Sequence, residues 1–526
     1  MGNQTTNLSA FLDRFVDGKA FEEHVMGAYG DGSADRQLPA DLFAAVSWIP
    51  VETGKLRDFS TIAPDIPLLD ASKCVGCMEC VIECPDTAII AKVLPEEDYL
   101  KLVKKRGDDD YTMLQFAKTS KYHKIPQKKG LEPGMFMLVT DLNKCKGCGE
   151  CVSACGKNDA LTMVAKTPEN IPHYESAMKL YSKLPDTPDH YIQAKILSDM
   201  MLKQSTQLYV GGAASCMGCG EATAIRMMLA ATGYVYGENS MGIVAATGCN
   251  TVFGSTYPHN PYRVPWTNPL FENAPAVAMG IRTKWNGDGL QDKRLWVLGG
   301  DGAMLDIGFQ SLSRMLMSGM DIKVLVLDTQ VYSNTGGQTS TATFSAQEAK
   351  MSAFGKSLQG KSERRKELSQ IAMMHPDVFV AQTTCAHINH FYRAVIAANE
   401  YPGPAIVNVY APCQPEHGIA DDMSMHQAKH AVDSRAFPLM IYDPRNGETL
   451  KQRIDLKGNP AQRDDWYTTP KGETIDFVHF ARSEGRFAKH FDADGKATEA
   501  LLRSQDDRLK NWRLLQELAG MLKHDK

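Results

Sequence analysis

Leu295-Trp296-Val297-Leu298-Gly299-Gly300-Asp301-Gly302 opens the stretch whose reading decides the fold. Ile322-Lys323-Val324-Leu325-Val326-Leu327-Asp328-Thr329 closes it, followed by Val331-Tyr332-Ser333-Asn334. Two short apolar runs flank one amphipathic segment, the pattern of a βαβ unit in a parallel sheet. Polar, ligand-type residues stand just past the carboxyl end of each run, where open α/β sheets bind their ligands. Gly300 and Gly302 allow a backbone to approach a phosphate, and the N-terminus of the following helix favours an anion. Asp301 offers the hard oxygen that Mg²⁺ takes when it bridges phosphates. Gly-Asp-Gly alone also reads as an ordinary turn with a capping Asp. Thr329, Val331 and Asn334 at a second strand end weigh against that.

A chain of 526 residues has room for two to four domains. Its formal net charge of −5 points to no nucleic-acid partner. No apolar run reaches membrane-spanning length, and residues 1–17 lack the basic start and apolar core of a secretory signal. The reading is therefore a cytoplasmic protein without membrane contact. Thirteen cysteines in a chain this long do not make a secreted disulfide scaffold, and a reducing compartment with metal-bound thiolates fits better.

Eight of those cysteines form two like-spaced runs. Cys74-x2-Cys77-x2-Cys80-x3-Cys84-Pro85 recurs as Cys145-x2-Cys148-x2-Cys151-x3-Cys155, with Gly156 in place of the proline. This is the two-cluster bacterial ferredoxin spacing, in which the fourth cysteine of each run ligates the other cluster. One [4Fe–4S] cluster then takes Cys74, Cys77, Cys80 and Cys155, and the other takes Cys145, Cys148, Cys151 and Cys84. Zinc has no need of four cysteines in one run. The Lys/Arg-rich insert between the runs reads as a helix over 99–106, an acidic turn at 108–110 and an extended stretch over 123–129. It is either a solvated face or a docking surface for an acidic carrier protein.

Four more cysteines sit in Gly/Pro-rich turns: Cys216 and Cys219 before a helix over 222–231, Cys249 in Ala246-Thr247-Gly248-Cys249-Asn250, and Cys413 after the strand Ala405–Tyr410. Three cubane clusters need twelve thiolates, and twelve are then accounted for. A zinc site is the competing reading. Cys385 reads as a buried hydrophobe. His417 reads either as an acid–base group or as a structural histidine. The polar segment 335–366 is expected to be helical and to cover a bound diphosphate.

The domain reading is a lead-in over 1–60, with a helix over 11–21 and an extended stretch over 42–51. A two-cluster ferredoxin-like domain with its insert follows over 61–200, an α/β domain over 201–420 and a helical arm over 421–526. The fold class is α/β: a parallel-sheet domain plus an α+β ferredoxin-like domain.

The Gly-Asp-Gly and the Asn about thirty residues on resemble the motif that holds thiamine diphosphate. Taken with both cysteine runs, Cys216-Met-Gly-Cys-Gly-Glu221, Asp306-Ile-Gly308 and Asp328-Thr-Gln-Val-Tyr-Ser-Asn-Thr-Gly-Gly-Gln338, residues 40–440 resemble the C-terminal half of the pyruvate:ferredoxin oxidoreductases, within the 2-oxoacid:ferredoxin oxidoreductases. That resemblance implies thiamine diphosphate, Mg²⁺ and three [4Fe–4S] clusters, with coenzyme A as co-substrate. It implies Mg²⁺ on Asp301, Thr329 and the Val331 carbonyl, Gly300 and Gly302 beside the cofactor, and Asn334 at its substrate end. Cys216, Cys219, Cys249 and Cys413 would hold the cluster nearest the cofactor. The implied reaction is decarboxylation of a 2-oxoacid, pyruvate first, to acyl-CoA and CO₂, possible in either direction, with electrons passed to ferredoxin. The alternatives are 2-oxoglutarate or another 2-oxoacid, and, more remotely, an electron-transfer subunit without its own catalysis. The expected partner is a subunit carrying the pyrimidine-binding domain and its activating Glu, in a higher oligomer of heterodimers.

Overall fold

The computed structural model describes residues 19, 21–37, 49–107, 110–254, 256–355 and 359–522. The helix expected over 11–21 and the extended stretch over 42–51 lie mostly outside these residues, as do Asp108 and Asp109 of the acidic turn.

The two cysteine runs fold as halves of one unit. Strand β1 (Asp65–Leu69) precedes the first run and β2 (Ile89–Pro95) follows it. The short β3 (Phe116–Ala117) belongs to the insert. β4 (Gly134–Thr140) precedes the second run and β5 (Leu161–Ala165) follows it. Each half lends a strand to each pair, β1 with β5 and β2 with β4, both antiparallel. The helices Glu79–Glu83 and Glu150–Cys155 then lie side by side. This exchange carries the fourth cysteine of each run toward the other run.

The second unit is an eight-stranded sheet in the order β13-β12-β10-β11-β9-β8-β6-β7. Its strands are β6 (Met241–Ala245), β7 (Trp266–Thr267), β8 (Arg294–Gly300), β9 (Lys323–Asp328), β10 (Phe379–Thr384), β11 (Ala405–Tyr410), β12 (Met440–Tyr442) and β13 (Ile454–Asp455). β6 to β11 are mutually parallel, while β12 runs antiparallel to β10 and the edge strand β13 antiparallel to β12. The central strands are apolar runs buried on both faces, as parallel sheets require. Their pleat deals alternate residues to two cores. Trp296, Leu298, Leu325 and Leu327 face the helices Gly220–Tyr236 and Ile388–Glu400, while Leu295, Val297, Val324 and Val326 face Ala274–Gly287 and Phe309–Leu316.

The first core runs without a break into the ferredoxin-like unit through Ile66, Val81, Ile82, Phe136 and Leu138. That unit is therefore packed on the Gly220–Tyr236 side of the sheet. Buried Lys144 ties that unit to the lead-in segment by donating to the carbonyls of Gly54, Lys55 and Arg57 at 3.0, 2.7 and 2.7 Å.

Three local expectations are corrected. Residues 123–129 are not extended: Ser120–Lys124 and Ile125–Lys128 are helical turns, with Pro126 in a first turn where its missing N–H costs nothing. The described part of 335–366 is irregular rather than helical, held by side-chain bonds to Asp306, Gln330 and Asp328. Residues 421–522 hold the long helix Glu499–Leu518 but also β12 and β13, which are too short to show alternation in sequence. Among the described residues no helix is long and apolar enough to cross a membrane.

Candidate cofactor and cluster sites

The register of the parallel strands sets their carboxyl ends level. Ala245 lies opposite Leu298, Gly300 opposite Leu327, and Tyr410 opposite Asp328. The turns after β6, β8, β9 and β11 thus open on one edge of the sheet. A cavity there is lined by Thr247, Cys249, Gly300, Thr329, Val331 and Asn334, among others.

Three oxygens meet at its base. Asp301 Oδ1 accepts from the Thr329 hydroxyl at 3.1 Å and from the Thr329 N–H at 3.2 Å, and the same hydroxyl donates to the Val331 carbonyl at 3.1 Å. An Mg²⁺ octahedron with bonds of 2.0–2.1 Å has edges of about 3 Å. Thr329 Oγ1 therefore stands from both Asp301 Oδ1 and the Val331 carbonyl at the spacing of adjacent Mg²⁺ ligands, and this all-oxygen donor set suits the ion. Ser340 Oγ donates to the other carboxylate oxygen of Asp301 at 2.5 Å. Burial, then the charge of Asp328, pushes the Asp301 carboxyl well up, a cost that a divalent cation removes.

The glycines divide into two kinds. A Cβ at Gly300 would meet only the Leu327 carbonyl, at 3.9 Å, so no packing demands a glycine there. The space lies in the cavity, where a diphosphate fits close to the backbone. Gly302 lines the same cavity, and there a Cβ would fall 2.3 Å from the Tyr332 ring, so the close packing of that ring also requires a glycine. Tyr332 is in turn tied to Asp306 at 3.1 Å.

Cysteines 74, 77, 80 and 155 line one cavity, and cysteines 84, 145, 148 and 151 line another. Two cavities with four thiols each suit two four-thiolate clusters. Backbone N–H groups of Ala88 and Ala160 reach the sulfurs of Cys84 and Cys155 at 3.3 and 3.2 Å, bonds of the kind that tune cluster potentials. Burial pushes the thiols of Cys80, Cys145 and Cys151 up, so that only bound iron keeps them as thiolates. The third set also gathers. Cys219 interacts with Cys216 and Cys413, and Cys249 with Cys219 and Cys413.

The third set touches the cofactor cavity. Cys249 lines it. The Ser333 hydroxyl is 2.6 Å from the Thr329 hydroxyl and also bonds the Cys413 sulfur. His417, fully buried, sits on the same two loops: its Nε2 is 2.8 Å from the Thr329 carbonyl, and its Nδ1 is 3.4 Å from the Cys413 N–H. A carbonyl only accepts and an amide N–H only donates, so both contacts require neutral imidazole with the proton on Nε2. His417 is a positioning residue, not an acid–base group facing the cavity.

Several supporting residues carry no signature in the sequence. Arg365 pairs with Asp328 at the end of β9 and also bonds the Ala342 carbonyl at 2.7 Å. Ser340 stands in no motif that would mark it, and Ser333, inside the Asp328-to-Gln338 motif, has no role assigned by it. Cys385 is fully buried and outside all three sets, with its sulfur 3.5 Å from the Gly220 carbonyl.

This geometry defines a class: a thiamine-diphosphate-type α/β domain joined to a ferredoxin-type iron–sulfur unit. Residues 246–409 match the C-terminal TPP binding domain of thiamine pyrophosphate enzymes, and residues 67–90 match the 4Fe-4S binding domain. The pyruvate-flavodoxin oxidoreductase of Rhodospirillum rubrum is 27% identical over 577 residues, covering 94% of this chain and 44% of that protein. The pyruvate:ferredoxin oxidoreductase of Moorella thermoacetica is 28% identical over 523 residues, covering 84% and 41%. A 2-oxoglutarate:ferredoxin oxidoreductase structure from Magnetococcus marinus, 21% identical, overlaps 38% of this chain and 64% of that one with a TM-score of 0.32. Over most of its length the chain is similar to the pyruvate:flavodoxin and pyruvate:ferredoxin oxidoreductases. It spans about two-fifths of the length of the curated relatives it matches.

Proposed function

We propose that this chain is the thiamine diphosphate and iron–sulfur portion of a 2-oxoacid oxidoreductase that converts pyruvate and coenzyme A to acetyl-CoA and CO₂, passing two electrons to ferredoxin. The observation that carries this reading is the shared edge. Cys249 lines the cavity beside Gly300 and Thr329, while Ser333 and His417 each bond both Thr329 and the Cys413 turn.

When bound, thiamine diphosphate supplies the carbon nucleophile for the 2-oxo carbon and the ring that accepts the electrons left as CO₂ departs. Asp301, Thr329 and the Val331 carbonyl hold Mg²⁺, and the open face at Gly300 admits the diphosphate. Asn334, exposed at the cavity, faces the substrate end. Cys216, Cys219, Cys249 and Cys413 bind the entry cluster. The Cys84/Cys145/Cys148/Cys151 site comes next, because Lys146 beside it donates to Ser215 O at 2.8 Å and Thr223 reaches the Glu83 carbonyl at 3.4 Å. The Cys74/Cys77/Cys80/Cys155 site is outermost. The activating Glu and the pyrimidine domain come from a second chain or segment, together with the coenzyme A site.

The test is anaerobic viologen reduction by the complex purified through this chain, with coenzyme A and either pyruvate or 2-oxoglutarate. The expected result is coenzyme A-dependent reduction with pyruvate. Reduction with 2-oxoglutarate alone reassigns the substrate, and reduction with neither overturns the reading.

A further inference from the structure

We propose that the lysine-rich surface seated on the outer cysteine site is the docking face for a small acidic electron-carrier protein. The proposal rests on the reading above that electrons leave through the Cys74/Cys77/Cys80/Cys155 site.

The segment Lys118–Lys129 carries five lysines and no Asp or Glu, in a chain whose net charge is −5. It is rigidly placed. Tyr122 is buried with its ring stacked on Phe136, and its hydroxyl meets Asp199 at 3.1 Å. His123 is buried against Glu96 at 2.8 Å. The turn holding these rings lies directly on the first cysteine loop, since a Cβ at Gly76 would fall 3.1 Å from both Thr119 and Tyr122. The charges therefore have a fixed position beside the outer site.

The lysines divide by role. Lys118 pairs with Glu96 at 3.3 Å, and Lys121 pairs with Asp199. Lys124, Lys128 and Lys129 are exposed and have no carboxylate partner among the described residues. Three side chains on one short double turn, free of internal partners, keep their full field for a partner's carboxylates. Apolar groups stand near them: Ile125 on the segment, Leu131 two residues beyond it and Val75 at the tip of the cysteine loop are each about half exposed. A small apolar centre with a cationic rim suits a transient redox interface, where charge steers encounter and the contact stays small.

The outer site is also the more open of the ferredoxin-like pair. Cys74, Cys77 and Cys155 are partly exposed, whereas Cys84, Cys145 and Cys151 are buried. A carrier resting on Val75 and Ile125 covers the loop of the accessible site, and its carboxylates meet Lys124, Lys128 and Lys129.

The experiment uses the purified holocomplex with an acidic two-[4Fe–4S] ferredoxin as protein acceptor and methyl viologen as small acceptor. The variant is K124E/K128E/K129E, with K124Q/K128Q/K129Q as a milder version and the exposed K471E as control. The expected result is a KM for ferredoxin raised about tenfold in the Glu variant and less in the Gln variant, with the viologen rate unchanged. The difference shrinks as salt is raised, because screening removes the steering field. Titration calorimetry of ferredoxin onto the oxidised complex should weaken in parallel, and it needs no turnover. Unchanged ferredoxin KM and binding in the Glu variant overturn the surface even if pyruvate oxidation is intact. Lysine-dependent binding without any 2-oxoacid activity keeps the surface and rejects the catalytic reading instead.

Discussion

The ferredoxin-like sites and the cofactor edge are built in opposite ways. Each of the first two sites takes three cysteines from one short run and a fourth from the other, delivered by paired strands. The cofactor edge takes its groups from turns after β6, β8, β9 and β11 and braces them with residues far away in sequence, among them Ser340, Arg365 and His417. A site written in local spacing depends on its own cysteines. A site written in topology depends on whatever keeps the strand ends level. The two regions should therefore fail differently when perturbed.

The largest expected loss is at Asp301. D301A removes a carboxylate that the Thr329 and Ser340 hydroxyls bond, and thiamine diphosphate binding should fall by more than the roughly 100-fold typical of groups that merely support a ligand. Iron content should be unchanged. Calorimetric titration with Mg²⁺ and thiamine diphosphate, beside iron analysis, checks this, and loss of iron would break the separation of the two regions.

R365L comes next and acts through the fold. It leaves Asp328 buried and unpaired at the end of β9, at a cost of about 3–5 kcal/mol. Denaturant unfolding should show that loss.

Gly300 sharpens the contrast. G300A meets no side chain, so the melting temperature should stay close to that of the native protein while thiamine diphosphate binding weakens about tenfold or more. A fall in melting temperature with unaltered binding would mean the glycine serves packing instead. H417A removes the bonds to Thr329 and Cys413 together. It should weaken Mg²⁺-dependent cofactor binding about 10–100-fold and shift the potential of the entry cluster. A shift in the potential would not follow from a general loss of packing.

Much of this is legible in the amino-acid sequence alone. The cysteine runs need only spacing, because ferredoxin-type ligation is periodic along the chain, and the cavities gather the same two sets of four. The βαβ reading around Gly300 and Asp328 follows from apolar runs long enough to be parallel-sheet strands. What stays hidden has no local signature. Ser340 and Arg365 reach the edge from an irregular segment whose polar composition reads as helix. The helical turns at 120–128 are obscured by a proline that suggests extended chain. β12 and β13 are three and two residues long, below the length at which periodicity exists.

A last expected effect concerns a buried histidine on the sheet's flank. His390, bonded to Thr383 at 2.9 Å, is held neutral by burial first and by Arg393 and His387 next, with its pKa lowered to about 3. Its folded value lies below the unfolded value of about 6.5, so its stabilising contribution is full above pH 6.5 and is lost as pH falls toward 3. Between pH 6.5 and 5 the native protein should lose about 1.6 kcal/mol in all relative to H390Q, read from the gap between urea midpoints.

The central claim is that electrons from the substrate enter through the cluster on Cys216, Cys219, Cys249 and Cys413. The most direct measurement is anaerobic stopped-flow bleaching of iron–sulfur absorbance after pyruvate is added, comparing the native complex with C413A. The account predicts bleaching in the native complex and none in C413A, although that variant keeps thiamine diphosphate and the eight irons of its other two clusters, of about twelve in the native chain. Bleaching of the remaining clusters at the native rate in C413A would contradict it.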